Sequence, residues 1–288
     1  MQIIVGKLSG FCNGVKYTIE KANEVIKKYH NVYCLGEIVH NESVIKDLES
    51  KGMITINQID KCPQNSKVII RAHGEIKETY DKAKEKNIDL IDLTCGKIKV
   101  IKSKIIQKNK DHFIIIIGKK NHPEALGLKS FAGNYSYIVE EDDDIKQLKN
   151  IIKESKLKKL FIISQTTFNS IKFEYLVNKI SDEYNLFIEV DKTICNATSS
   201  RQKETEDLSK KVDYMIIIGG KKSSNTKELE TISKENCKNT YLIQDYKELK
   251  DIEIKSDSKV GIMAGASTPD NLVDEVILYL KRGSHERT

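Results

Sequence analysis

Six short apolar runs recur along the chain, and each ends in a cluster of small polar residues. The runs are VYCLGEIVHNESV, KVIIRAHGEI, DHFIIIIGKKNHPEAL, KLFIISQTTFNSI, DYMIIIGGKKSSNT and KVGIMAGASTPDNL. Continuous apolar runs of this length are typical of strands buried in a parallel sheet. A segment with helical periodicity follows most of them. Strands that alternate with helices predict an α/β fold of the doubly wound type.

Two of these stretches resemble each other, IIIIGKKNHPEALGL and MIIIGGKKSSNTKEL. Because they lie about 100 positions apart, they indicate a duplicated module, each copy with two strand-end loops. We place the three modules at residues 1–95, 96–194 and 195–281. The last seven residues, 282–288, read RGSHERT and break the preceding helical pattern. We interpret them as a tag or linker remnant outside the fold.

The composition excludes several classes of protein. Apolar residues make up 39% and charged residues 31% of the chain, a balance typical of a folded domain. No apolar run approaches the ~20 residues that cross a bilayer, and the N-terminus lacks a signal-peptide pattern. We therefore predict a cytoplasmic protein without a membrane partner. The net charge is +6, with lysines interleaved with acids, which predicts a solvated surface and no nucleic-acid partner.

The loop in MIIIGGKKSSNTKEL has the composition of a phosphate-binding loop. It fails the Walker A pattern because Met215 stands where the first glycine is required, so a nucleotide triphosphatase is disfavoured. The side chains of Ser223, Ser224 and Asn225 can still bind phosphate oxygens at the start of a helix. Serine and asparagine are also common helix N-caps, so both interpretations remain open from this loop alone.

Other strand-end loops carry titratable side chains. His40, His73 and His122 occupy equivalent points of the repeat, and histidine donates hydrogen bonds to phosphate oxygens. Glu124 follows His122 by two residues, and Thr166 lies in SQTT. A carboxylic acid next to a hydroxyl makes a pair suited to proton delivery. Alternatively, Glu124 is a first-turn acid that stabilises a helix.

Three cysteines follow the module spacing. Cys12, Cys95 and Cys195 each lie near a module boundary, and no C-x-x-C occurs in the chain. Three such thiolates suit zinc or an iron–sulfur cluster, and a cluster of four irons would keep one iron without a protein ligand. Three free buried thiols are the alternative. The remaining cysteines lack the spacing and are interpreted as buried thiols: Cys34, Cys62 and Cys237.

Taken together, these motifs resemble those of a known family. GFCNGV, EIVHN, AHG, TC, NHPE, SQTT, TICNAT..RQ, GGKKSSNT and AGASTP stand in this order along nearly the whole chain. The chain thus resembles the 4-hydroxy-3-methylbut-2-enyl diphosphate reductases, the IspH/LytB family. The resemblance implies a trefoil of three α/β modules around a central iron–sulfur cluster. It also implies the last step of the non-mevalonate isoprenoid pathway, a two-electron reductive dehydroxylation giving isopentenyl and dimethylallyl diphosphates.

The resemblance also implies roles for individual residues. Cys12, Cys95 and Cys195 match the ligands of a 4Fe-4S cluster with one open iron, or of a 3Fe-4S form after oxidation. Glu124 and Thr166 match the proton-transfer and hydroxyl-positioning pair, which His122 joins as a catalytic position. The diphosphate-binding positions are matched by His40, His73, His122, Ser223, Ser224, Asn225 and Ser267. The implied electron donor is a ferredoxin, a flavodoxin or a similar protein.

The sequence departs from the family pattern at Ser9, Gly96 and Asn121, and none of these changes removes an expected ligand or diphosphate contact. From the residues alone, two other interpretations stay open. One is a zinc hydrolase that acts on a phosphate ester. The other is a non-enzymatic phosphosugar-binding module with incidental cysteines.

Overall fold

The structure is a computed structural model that describes residues 1–29 and 31–285, with side chains as far as Arg282. The strands are β1 Gln2–Val5, β2 Val32–Leu35, β3 Met53–Ile56, β4 Lys67–Ile70, β5 Asp89–Asp92, β6 Phe113–Ile117, β7 Ser136–Val139, β8 Lys159–Ser164, β9 Phe187–Val190, β10 Tyr214–Ile218, β11 Thr240–Ile243 and β12 Lys259–Ala264. The α-helices are α1 Asn13–Lys28, α2 Glu42–Ser50, α3 Lys77–Glu85, α4 Gly96–Lys108, α5 Pro123–Ala132, α6 Asp142–Ser155, α7 Ser170–Glu183, α8 Asn196–Ser209, α9 Ser224–Asn236 and α10 Asp270–His285. Short 3-10 helices span Ile59–Lys61 and Tyr246–Asp251.

The described strands form three four-stranded sheets. Their strand orders are β3-β2-β4-β5, β7-β6-β8-β9 and β1-β12-β10-β11. The strands within each sheet run parallel to their neighbours. Parallel neighbours need a crossover connection, and helices supply most of these crossovers. The predicted α/β fold with three modules is confirmed.

The six apolar runs are the two central strands of each sheet, namely β2, β4, β6, β8, β10 and β12. The other six strands, all at sheet edges, were not predicted. Central strands β6 and β10 are buried along all five residues, whereas edge strands β1 and β9 are exposed at both ends. An edge strand has one neighbour and keeps contact with water, so it folds without the continuous apolar run that the prediction depends on.

Both faces of the middle sheet are covered by helices. Ile115 of β6 packs in a cluster with Leu176 of α7. Its neighbour Ile114 points to the opposite face, where it packs with Ile101 of α4 and Leu128 of α5. Each such side chain contributes roughly 1.5–3 kcal/mol when fully buried. The strand therefore forms a fixed base for the loop at its carboxyl end.

The chain divides into two compact units. Unit 1 comprises Met1–Tyr17, Val39–Asp47 and the described residues from Asn196 onward. Unit 2 comprises Thr18–Ile38 and Leu48–Cys195. Strand β1 pairs with β12, so the first strand belongs to the sheet of the C-terminal segment rather than to that of β2–β5. The predicted module boundaries themselves remain predictions.

Helix α10 continues to His285, so the helical pattern does not break at Arg282 as the sequence had suggested. The apolar face of this helix packs against β10 and β12 through Leu272, Val276 and Leu280, which explains why the helix extends so far. Residues 286–288 of the predicted tail lie outside the described residues.

Among the described helices, none combines the length and the apolar character that crossing a membrane requires.

Candidate active site

The predicted site residues follow the central strands of the three sheets. In parallel sheets the loops after the carboxyl ends of the strands carry ligand sites. His40 follows β2, His73 follows β4 and His122 follows β6. The remaining loops, after β8, β10 and β12, carry Thr166, Ser223, Ser224, Asn225 and Ser267.

His122 is fixed at the start of α5. It is the N-cap of this helix, and its Nδ1 accepts a hydrogen bond from the Glu124 amide at 3.1 Å. Pro123 occupies the first helical position, where its missing N–H costs nothing. Because Nδ1 acts as the acceptor, the neutral imidazole carries its proton on Nε2.

Glu124 is a buried carboxyl group, with 1% of its surface exposed. Its Oε1 accepts a hydrogen bond from the Thr166 amide at 2.6 Å, and its Oε2 lies 2.8 Å from the Thr166 hydroxyl. Burial raises the pKa of Glu124 to about 7, although both hydrogen bonds from Thr166 act in the opposite direction. The pair can therefore hold a proton near neutral pH and pass it on through the hydroxyl.

Two histidines meet near this pair in unit 2. The rings of His73 and His122 are in edge-to-face contact, with their centroids 5.6 Å apart. Backbone hydrogen bonds extend the cluster on both sides. The amide of Cys95 donates to Ala72 at 2.9 Å, and that of Cys195 donates to Thr166 at 2.9 Å. Unit 2 thus brings together its six predicted site residues: His73, Cys95, His122, Glu124, Thr166 and Cys195.

Unit 1 holds a buried amide that has no protein partner. Asn225 is 4% exposed, and neither its Nδ2 nor its Oδ1 finds a hydrogen-bond partner among the residues described. Ser223 is the N-cap of α9, and its Oγ accepts a hydrogen bond from the Thr226 amide at 3.3 Å. Since a buried polar group without a partner is costly, Asn225 has the character of a group that awaits a ligand.

The other predicted residues of unit 1 lie beside this loop. A Cβ at Gly220 would stand 2.0 Å from the carbonyl oxygen of His40, so only glycine permits this close approach. The Ser267 hydroxyl donates to the same carbonyl at 3.5 Å. The amide of Cys12 donates to Ala266 at 3.0 Å. The loops that carry Cys12, His40, Ser267 and Asn225 are therefore joined within unit 1.

The six cysteines fall into two groups. Cys12, Cys95 and Cys195 are half-buried, and each directly precedes a helix, α1, α4 or α8. Cys34, by contrast, is buried, and burial raises the pKa of its thiol to about 12. Burial also raises the pKa values of the two other buried thiols, Cys62 and Cys237.

No group of three or more His, Cys, Asp or Glu side chains among the described residues is arranged to hold a single metal ion. In an iron–sulfur cluster each thiolate binds its own iron, so the ligands need not converge as they do around zinc. The donor type, the partial exposure and the helix-start positions of the three cysteines fit such a cluster. The structure does not group them as ligands, and their role stays a prediction.

Two residues of α8 that reasoning from the sequence assigned no role support the loop before Cys12. Arg201 is 4% exposed and donates from Nη2 to the carbonyl of Gly10 at 2.8 Å. The carboxylate of Glu204 accepts the amides of Lys7 and Leu8 at 2.6 and 2.9 Å. Because their partners are backbone groups far away in the sequence, no local pattern indicates these contacts.

Comparison with known proteins identifies the family. The LytB protein family model matches residues 3–281. The 4-hydroxy-3-methylbut-2-enyl diphosphate reductase of Thermoanaerobacter sp. (strain X514) is 38% identical over 286 residues, which cover 98% of this chain and 97% of the relative.

Two solved structures are also similar to this chain. The E-1-hydroxy-2-methyl-but-2-enyl-4-diphosphate reductase from Plasmodium falciparum superposes with a TM-score of 0.89 at 30% identity, covering 97% of this chain and 88% of that one. A structure of (E)-4-hydroxy-3-methyl-but-2-enyl diphosphate reductase, described as the terminal enzyme of the non-mevalonate pathway, gives 0.70 at 34% identity, covering 98% and 100%. The chain belongs to the LytB family.

Proposed function

We propose that this chain is a 4-hydroxy-3-methylbut-2-enyl diphosphate reductase. It reduces (E)-4-hydroxy-3-methylbut-2-enyl diphosphate by two electrons, removes the hydroxyl as water, and yields isopentenyl and dimethylallyl diphosphates. This is the last step of the non-mevalonate isoprenoid pathway. Family membership supports the reaction. The observation that carries the proposal is the buried Glu124–Thr166 pair, a carboxyl group with a pKa of about 7 that is hydrogen-bonded to a hydroxyl.

Glu124 is the proton donor in this proposal. Hydroxide is a poor leaving group, so the departing oxygen needs a proton. With a pKa of about 7, Glu124 carries that proton in a large share of the molecules at neutral pH, and its Oε2 lies next to the Thr166 hydroxyl. Thr166 passes its own proton to the substrate oxygen and takes that of Glu124. His122, whose Nδ1 accepts the Glu124 amide, is the other catalytic position of the proposal.

The diphosphate is held by hydrogen-bond donors, most of them neutral. Asn225 offers its unpartnered Nδ2 to a phosphate oxygen. Ser223 accepts from the helix through Oγ and keeps its own hydroxyl proton for the ligand. The positive end of the α9 dipole favours the anion. The other proposed diphosphate contacts are His40, His73, His122, Ser224 and Ser267.

Cys12, Cys95 and Cys195 hold the cofactor in this proposal, a 4Fe-4S cluster or its 3Fe-4S oxidation product. When bound, the cluster supplies the electrons, which side chains cannot provide. The half-buried state of these cysteines and their positions directly before helices support this assignment. A ferredoxin, a flavodoxin or a similar protein returns the electrons, and the enzyme works in the cytoplasm.

The test is a turnover assay on anaerobically purified protein with the hydroxylated diphosphate and a reduced electron donor. We expect both isoprenoid diphosphates as products, together with iron and acid-labile sulfide in the protein. A colourless protein that contains zinc and releases phosphate would instead identify the hydrolase. A protein that binds phosphosugars and yields no product would overturn the enzyme assignment.

A further inference from the structure

Glu124 must be reloaded with a proton after each turnover, yet it has no direct access to bulk water. Only 1% of its surface is exposed, and both carboxyl oxygens face Thr166. In the proposed mechanism Thr166 carries protons from Glu124 to the substrate. A different group must therefore return a proton to Glu124.

A small cavity lies on another side of Glu124. Its volume is about 10 Å³, close to the lower limit for one water molecule. Besides Glu124, the titratable residues in its lining are His73, Glu75, Tyr80 and Lys102, and Thr94 and Phe131 also contribute. A water that fills this space would lie among these residues.

Two buried hydroxyl groups, those of Tyr80 and Thr94, lie in the cavity wall. They interact with each other, and the backbone of Glu75 also lies close to the Tyr80 hydroxyl. Burial, followed by the charge of Asp92, raises the pKa of Tyr80 to about 12, so the phenol stays neutral. A buried water typically makes two to four hydrogen bonds, and these two hydroxyls together with Glu124 would satisfy that requirement.

Lys102 lines the cavity and is partly exposed. Its Nζ lies over the rings of Tyr80 and Phe131, at 4.5 and 4.2 Å from their centroids. Desolvation lowers the pKa of Lys102, with Asp92 opposing and Lys99 adding to the change. A lysine with a lowered pKa releases a proton more readily to a neighbouring group, and its partial exposure lets solvent replace that proton.

We propose that Lys102 and one water in this cavity, held by the Tyr80 and Thr94 hydroxyls, form a proton relay that reloads Glu124 after each turnover. The inference rests on the proposed function. The Lys102 ammonium gives a proton to the water, the water passes one of its protons to the Glu124 carboxylate, and solvent restores the ammonium. Tyr80 and Thr94 orient the water. No electron moves, and the relay residues act through Glu124 without touching the substrate.

The decisive measurement compares the first turnover with the later ones in rapid-mixing experiments on the cluster-loaded enzyme. In Lys102→Met mixed at pH 6, below the Glu124 pKa of about 7, Glu124 starts mostly protonated, so the first turnover should keep its rate. The steady-state kcat should fall roughly tenfold, less than the 10²–10⁴-fold expected for loss of the general acid itself. The loss should grow with pH, because hydronium from solvent is then the remaining source. An unchanged kcat would overturn the relay and indicate reloading from the substrate side.

Three further variants separate proton transfer from charge and packing. Lys102→Arg keeps the charge but does not release protons, so it should behave like Lys102→Met. Tyr80→Phe removes the hydroxyl and keeps the ring, so Glu124 should stay in place while the later turnovers slow. Lys104→Met on the same helix, whose Nζ instead bonds Asp191, should match the wild type. Equal slowing of first and later turnovers would indicate misplacement of Glu124 and overturn the inference.

A readout without turnover separates this inference from the proposed function. After a pH drop across the Glu124 pKa of about 7, the infrared band of its protonated carboxyl should form more slowly in Lys102→Met than in the wild type. Glu124→Gln identifies the band. If Lys102→Met protonates more slowly than the wild type but the wild type has no reductase activity, the relay stands and the proposed reaction is wrong. If the two proteins protonate at equal rates and the wild type is active, the proposed reaction stands and the relay is wrong.

Discussion

Two loops of this molecule share one design and differ in their side chains. Strands β6 and β10 each have five buried residues and each lead through a glycine and two lysines into a helix. His122 caps α5, and Ser223 caps α9. At the second helical position α5 carries Glu124, whereas α9 carries Asn225.

This difference shows how a repeated backbone frame takes on two chemical tasks. Glu124 has its hydrogen bonds satisfied by Thr166, and burial keeps it protonated near neutral pH. Asn225 has the same depth of burial but no partner among the described side chains and backbone groups. The first loop is therefore suited to give up a proton, and the second to receive the oxygens of an anion.

The largest effect should come from Glu124→Gln in the first loop. The variant keeps the shape and the hydrogen bonds but cannot donate an acid proton, so kcat should fall about 10³-fold while KM changes little. Steady-state assays on cluster-loaded protein measure both. Glu174→Gln is a matched control, because this exposed carboxylate pairs with Lys192 at the surface. A near-normal kcat in Glu124→Gln would mean that the first loop does not donate the proton, and the proposed chemical difference between the two loops would be wrong.

The same residue should make stability depend on pH. The pKa of Glu124 rises from 4.5 to about 7 on folding. At a pH below the pKa of 4.5 in the unfolded chain, Glu124 is protonated in both the folded and the unfolded state, so it does not change the free energy of unfolding. As pH rises toward 7, only the unfolded chain releases the proton, so folding stability falls, by about 3 kcal/mol in total.

Because glutamine does not titrate, the stability of Glu124→Gln relative to wild type should increase over this range. Urea unfolding of both proteins at a series of pH values gives the difference. Parallel curves for the two proteins would mean that Glu124 keeps an ordinary pKa.

Asn225→Leu tests the second loop. Leucine fills a similar space and removes a buried amide without a partner, so stability should be kept or improved. Loss of a hydrogen bond to a charged phosphate should raise KM roughly 10–100-fold, with kcat little changed. Asn236→Ala, at the far end of the same helix, should leave KM unchanged. A destabilised protein with normal KM would show that Asn225 has a structural role instead.

The smallest effect concerns the cap of the second loop. Ser223→Ala removes the acceptor of the Thr226 amide and should lower the free energy of unfolding by about 1 kcal/mol. Ser223→Asp restores a capping oxygen and should recover that stability, yet its negative charge should repel the diphosphate and raise KM. Urea unfolding and steady-state assays separate the two roles. If aspartate also restored KM, Ser223 would act as a cap alone.

Much of the fold was predictable because the central strands have a clear signal in the sequence. A strand buried on both faces requires an uninterrupted apolar run, as in Phe113–Ile117, and such runs are visible in any sequence. The edge strand Gln2–Val5 lacks that requirement, and its pairing with β12 joins residues more than 250 positions apart. No local pattern specifies such a partner.

The amino-acid sequence by itself determined the α/β class, the six central strands and the loop positions of the candidate site residues, because these follow from local periodicity and turn composition. Only the tertiary structure decided the properties on which the chemistry depends. It buries Glu124 against Thr166, leaves the Asn225 amide without a partner in the described chain, and encloses the cavity beside Lys102. Burial, and with it a pKa or an unsatisfied hydrogen bond, depends on what distant segments pack around a side chain.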